Sequence, residues 1–85
     1  MEPDKIQITV KCFSVVKYVL GASEITLEIP PGTTTREVEA QLRERARGKL
    51  KGVTFQTAVN RVYCAEPVEL RDGDEIAFIP SVQGG

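Results

Sequence analysis

The chain has 85 residues, 41% of them hydrophobic, with 11 basic and 12 acidic side chains, a formal net charge of −1 and no histidine. That length holds one domain around one modest core, leaving little room for a deep substrate cavity and arguing against a free-standing enzyme. The near balance of charge argues against nucleic-acid binding, which draws on excess cations facing phosphates. The lack of histidine removes the commonest metal ligand and proton shuttle.

The N-terminus, Met1 to Lys5, is polar and acidic, unlike a signal peptide, and no apolar run is long enough to cross a bilayer. A soluble, cytosolic protein with no membrane partner is expected. From Ile6 to Phe13 the side chains alternate, with Ile6, Ile8, Val10 and Cys12 on one side. Period two with β-branched residues predicts a half-buried strand. Cys12 then falls on the apolar side, as a buried, unreactive thiol. Ser14 to Leu20 suits a short helical segment stopped by Gly21. Ser23 to Pro30 alternates again, with Ile25, Leu27 and Ile29 inward.

Pro30-Pro31-Gly32 predicts a turn. Thr34 followed by Glu37 matches a capping box. Val38, Leu42 and Ala46 then form one apolar stripe on a helix expected to end near Gly48. Arg36, Glu37, Glu39, Arg43, Glu44 and Arg45 should form its solvated face. The basic run Arg43, Arg45, Arg47, Lys49 and Lys51 is read as cations complementing the helix C-terminal dipole. Phe55 to Asn60 predicts a third strand, and Val68-Glu69-Leu70 a short one. Cys64 lies beside an expected turn between them; it makes no CxxC pair with Cys12. Arg71-Asp72-Gly73-Asp74 predicts a tight turn into a last strand, Glu75 to Ile79, which Pro80 ends. Ile76 and Phe78 belong in its core-facing phase and Ile79 in the opposite one.

This order predicts an α+β domain: a mixed sheet with one main helix on one face. Residues 1–80 are expected to form the domain and residues 81–85 a flexible tail.

The ending Gly84-Gly85 carries the chemical information. Without Cβ atoms, two glycines can thread a channel too narrow for any side chain. The terminal carboxylate is a poor electrophile until adenylation gives it a good leaving group. A sulfur nucleophile can then attack, leaving a thiocarboxylate. This is chemistry by presentation, and it asks for no catalytic side chain.

The stretch Asp72-Gly73-Asp74-Glu75-Ile76-Ala77-Phe78-Ile79-Pro80-Ser81-Val82-Gln83-Gly84-Gly85 resembles the ending of ubiquitin-like sulfur carriers, in particular the small subunit of molybdopterin synthase. Ala58-Val59-Asn60 and the segment from Ile8 to Gly21 resemble other parts of that family in the same order. Ser81 departs from it, standing where a second proline is usual, and Cys12 stands where an aromatic or aliphatic residue is common. The resemblance implies a β-grasp fold, with the first and last strands side by side in the middle of the sheet. It also implies no stably bound cofactor, only a transient AMP adduct and then a thiocarboxylate sulfur at Gly85.

Carried over residue by residue, Gly85 is the reactive position and Val82, Gln83 and Gly84 line the insertion path. Phe13, Tyr63, Ile79 and Pro80 match hydrophobic partner contacts. The implied partners are a large catalytic synthase subunit, in a heterotetramer, and an ATP-dependent, ubiquitin-activating-like adenylyltransferase. Sulfur would pass to a cyclic pyranopterin monophosphate precursor. Carriers for thiamin, tungsten-pterin or tRNA thiolation share much of this ending, as do ubiquitin-like modifiers joined to lysines. A plain interaction domain with an inert tail is the remaining alternative.

Overall fold

The computed structural model describes residues 4–81. Five strands and two helices follow the chain as β1 (Ile6–Cys12), α1 (Val15–Leu20), β2 (Glu24–Ile29), α2 (Thr35–Arg45), β3 (Phe55–Val59), β4 (Val62–Cys64) and β5 (Glu75–Pro80). They form one mixed sheet in the order β2-β1-β5-β3-β4. β1 and β5 run parallel at its centre, and the other pairings are antiparallel. This is the ubiquitin-like β-grasp arrangement.

The alternation in β1 and β5 fixes the inner face. Ile6, Ile8, Val10 and Cys12 from β1 are buried with Ile76 and Phe78 from β5. Val38, Leu42 and Ala46 complete the core from the α2 side. At roughly 25 cal/mol per Å² of apolar surface, these side chains are the main source of stability. β2 lies at the sheet edge, so Ile25 and Leu27 are only half-buried while Ile29 is fully inside. The Phe55 and Phe78 rings meet at 5.8 Å between centroids, inclined by 51°.

Local signals set several boundaries. α1 stops at Gly21, whose φ of 76° is left-handed and whose N–H donates to the Lys17 carbonyl. Thr34 and Glu37 form the reciprocal capping box at the start of α2. The turn Arg71–Asp74 is stitched to β1: Gln7 N–H donates to Asp72 Oδ1 at 2.8 Å, and Gly73 N–H donates to the Gln7 carbonyl.

Four expectations are corrected. α2 ends at Arg45, short of Gly48, because Arg47 turns to φ 53° and the chain continues as tight turns. Arg43 is only about one-third exposed; its guanidinium faces Glu39, two loop carbonyls and the Phe55 ring. The strand after β3 is Val62–Cys64, with Cys64 on it, and residues 68–70 make only the bridge Thr34 to Glu69. β5 includes Pro80, which pairs with Phe55 as its last residue.

Asn60 and Arg61 connect β3 to β4 with φ values of 50° and 70°, the paired left-handed geometry of a type I′ hairpin. The Asn60 side chain also accepts from Glu75 N–H and donates to Asp74 Oδ1, both at 3.0 Å. It therefore ties the hairpin to the start of β5. Asn60→Gly keeps the backbone conformation and deletes only this tie. It should cost about 1–2 kcal/mol, a fall of roughly 5–10 °C in melting temperature. A shift under about 1 °C in a thermal melt contradicts this role.

Candidate functional site: an apolar hollow on the outer sheet face

The outer face of the sheet is set by the residues that alternate with the core. One row runs across four strands, with Lys11 opposite Ala77, Ala77 opposite Ala58, and Ala58 opposite Tyr63. Two alanines between longer neighbours make a depression. Its volume is about 660 Å³, and Phe13, Tyr63 and Ile79 also line it. Phe13 is 45% exposed and Tyr63 66%, so both leave apolar surface facing solvent.

Phe13 sits where β1 gives way to α1. Ser14 takes φ 53° and ψ −128°, and Val16 N–H donates to the Phe13 carbonyl at 3.0 Å. A serine held in a region that favours glycine shows that the surrounding packing overrides local preference here. The turn fixes where Phe13 leaves the strand.

Charge flanks the hollow. Lys11 Nζ lies 2.7 Å from Glu24 Oε1 and 4.0 Å from Glu75 Oε2. The hydrogen bond to Glu24, then its charge, raises the Lys11 pKa, so the ammonium stays charged throughout the neutral range. Lys17 and Arg61 also line the hollow and join no ion pair among the described residues.

Phe13, Tyr63 and Ile79 thus line one hollow. Pro80 is not on the hollow; it follows Ile79 at the end of β5, half-buried beside Phe55. Val82, Gln83, Gly84 and Gly85 lie outside the described residues. The alanine floor, Ala58 and Ala77, was missed, although alternation along β3 and β5 places both on this face.

A second depression of about 630 Å³ lies between the start of α2 and strands β3 and β4, bordered by Arg36, Glu39, Cys64 and Pro67. Cys64 is a half-buried free thiol. Cys12 is a buried one, whose pKa burial raises above the ordinary thiol value, which leaves it protonated and unreactive at neutral pH. No group of three or more His, Cys, Asp or Glu side chains is placed to hold a metal among the described residues. No described helix is long and apolar enough to cross a membrane.

The ThiS family model matches residues 10–85, from within β1 to the final glycine. The chain belongs to the ThiS family.

Among curated members, the molybdopterin synthase sulfur carrier subunit of Chlamydomonas reinhardtii is 36% identical over 84 residues, covering 94% of this chain and all of that one. A Pyrococcus furiosus structure provisionally assigned to molybdopterin converting factor subunit 1 superposes with a TM-score of 0.80 at 26% identity. It covers 91% of this chain and 99% of that one. The Helicobacter pylori complex of molybdopterin-converting factor subunits 1 and 2 contains a chain with a TM-score of 0.65 and 26% identity. That match covers 94% of this ThiS-family chain and 100% of the other.

Proposed function

We propose that this protein is the sulfur-carrier subunit of a molybdopterin synthase, which docks through its outer sheet face and presents Gly85 for chemistry elsewhere. The observation that carries the reading is the hollow lined by Phe13, Tyr63 and Ile79, the last of them on the strand that leads into Val82-Gln83-Gly84-Gly85.

Energetics assign the two parts their roles. Fixing the four residues from Val82 to Gly85 in a channel costs roughly 4–8 kcal/mol of backbone entropy, at about 1–2 each. A diglycine end buries little apolar area to offset that. Affinity therefore comes from the folded face, where Phe13 and Tyr63 can each lose a large exposed apolar surface. The domain, residues 1–80, acts as the address, and residues 81–85 as the delivered end.

The chemistry then runs through the terminal carboxylate. A carboxylate oxygen of Gly85 attacks the α-phosphate of ATP, forming the acyl adenylate and releasing pyrophosphate. A sulfur nucleophile displaces AMP to leave the thiocarboxylate. Inside the large subunit that sulfur passes to the pterin precursor, and hydrolysis by water, which supplies the replacing oxygen, restores the carboxylate of Gly85. The chain supplies no acid or base to these steps, in keeping with the absence of histidine.

Intact-mass measurement tests this directly. Incubation with ATP, an adenylating enzyme and a sulfur source should add about 16 Da, the exchange of one oxygen for sulfur, at the C-terminal glycine. A chain with a free Gly85 that gains no such mass in those conditions refutes the proposal. Higher-mass conjugates stable to reducing agent would assign it to the modifiers instead.

A further inference from the structure

The segment after α2 carries a charge distribution that the hollow does not use. Arg45, Arg47, Lys49 and Lys51 fall within seven residues that hold no carboxylate, although the chain as a whole has 11 basic and 12 acidic residues. All four are exposed, and none joins an ion pair among the described residues. The helix dipole accounts for cations in the last turn, which here are Arg43 and Arg45. Arg47, Lys49 and Lys51 stand beyond the end of the helix and need another account.

The backbone holding them is firmly tied. Lys49 N–H donates to the Ala46 carbonyl and Lys51 N–H to the Gly48 carbonyl, both at 3.1 Å. Ala46 and Leu50 are buried between the exposed cations. Arg43 holds the Leu50 and Val53 carbonyls from below. The cations thus project from a tied backbone, with no ion pair among the described residues to offset their charge.

Their position gives the array a use. At one end of the segment, Ala46 is buried in the same core as Cys12, at the end of β1. At the other, the Thr54 carbonyl accepts from Ser81 N–H at 2.8 Å, where β5 stops. Cys12 pairs with Phe78, and Phe55 with Pro80. The segment therefore leads to the end of the sheet at which β5 stops, with Lys51 three residues before Thr54.

We propose that Arg47, Lys49 and Lys51 form a cationic docking shelf for carboxylates on the protein that receives the end of this chain. The inference rests on the sulfur-carrier reading and adds the partner's chemistry: an acidic rim beside the opening that takes the glycines. A nucleic acid fits less well, since the remainder of the chain carries a clear excess of carboxylates that would repel a polyanion. Exposed complementary charge acts chiefly on association rate.

The test is stopped-flow association with the large synthase subunit, comparing wild type, R47E/K49E/K51E and R47Q/K49Q/K51Q. At about 20 mM salt the charge-reversed variant should associate at least tenfold more slowly, the glutamine variant falling between. At about 1 M salt, where the screening length is near 3 Å, the three rates should converge. Dissociation rates should agree within about twofold. Thermal melts establish that the variants are folded, and the glutamine variant decides the matter if the reversal unfolds. Equal rates and equal salt dependence in all three overturn the shelf while leaving the carrier reading intact. A wild-type chain that never associates overturns both. Retention of the wild type on a DNA duplex at physiological salt, lost on reversal, would reassign the shelf to phosphates.

Discussion

Appending a single alanine after Gly85 should abolish sulfur transfer while leaving the melting temperature unchanged. The added residue moves the terminal carboxyl by about 3.3–3.6 Å along the chain and places a Cβ beside it. Reacting atoms must sit about 3–3.5 Å apart, and a 1 Å misplacement alone can cost about 100-fold, so the loss should exceed 100-fold. Deleting Gly85 should do the same by withdrawing the carboxyl from the reactive position. The fold should not respond, because the last described tie to the domain, Ser81 N–H to the Thr54 carbonyl, lies upstream of the change. Single-turnover transfer assays on thiocarboxylated protein, with circular dichroism melts alongside, read both quantities. Transfer retained within tenfold in either variant contradicts delivery from a terminal glycine.

The mechanism asks the folded domain only to hold a surface beside an exit, and the parts of that design differ in how far the sequence exposes them. β1, β5, the Gly21 stop and the capping box of Thr34 and Glu37 are local patterns: period two, a left-handed glycine, a reciprocal pair three residues apart. Short-range physics decides them, so they can be read directly. Alternation along β1 and β5 placed Phe13 and Ile79 on the outer face, and the resemblance added Tyr63 to them.

Where the reading failed, the deciding partner was distant. β4 is three residues long and leaves Val62 and Tyr63 about two-thirds exposed, so it has no apolar pattern of its own. It exists because Asn60 and Arg61 both take positive φ, without the glycine that usually announces such a turn. Residues 68–70 show the converse. Val68 and Leu70 alternate like a strand, yet only Leu70 is buried, and the segment serves to brace the start of α2 through Thr33 and Thr35. The end of α2 misled for a related reason. Ala46 extends the apolar stripe by one more step, but it serves as the C-cap, and Arg47 leaves the helix in the left-handed region.

Arg43 is the clearest case of a residue whose role no periodicity reveals, and its replacement should have a large structural effect. Its Nε donates to Glu39 Oε2 at 2.9 Å, its Nη1 to the Leu50 carbonyl at 2.8 Å and its Nη2 to the Val53 carbonyl at 2.6 Å. The guanidinium also lies 4.5 Å from the centroid of the Phe55 ring. Glu39 alone is predictable from helical spacing, and as a one-third-exposed pair it contributes only about 0.3–0.5 kcal/mol. The two carbonyls, seven and ten residues further on, matter more. Hydrogen bonds from a charged group to partly buried acceptors contribute about 1.5–3 kcal/mol each, so Arg43→Met should cost about 3 kcal/mol or more. In a chain whose total stability is of order 5–10 kcal/mol, that is a fall of roughly 15 °C in melting temperature. Arg43→Lys should recover less than half, because an ammonium cannot span the three acceptors that the planar fork reaches together. Glu39→Gln should cost under about 0.5 kcal/mol. Urea denaturation of the three variants separates these values, and full rescue by lysine would show that charge alone is at work. Hydrogen exchange adds the functional link. In Arg43→Met the amides of Lys49, Lys51 and Val53 should lose protection before β1 does, since the guanidinium fixes the turns that hold the cationic shelf and lead to the carbonyl of Thr54. Uniform loss of protection across the domain would instead make Arg43 a contributor to global stability with no special hold on the edge from which the reactive end departs.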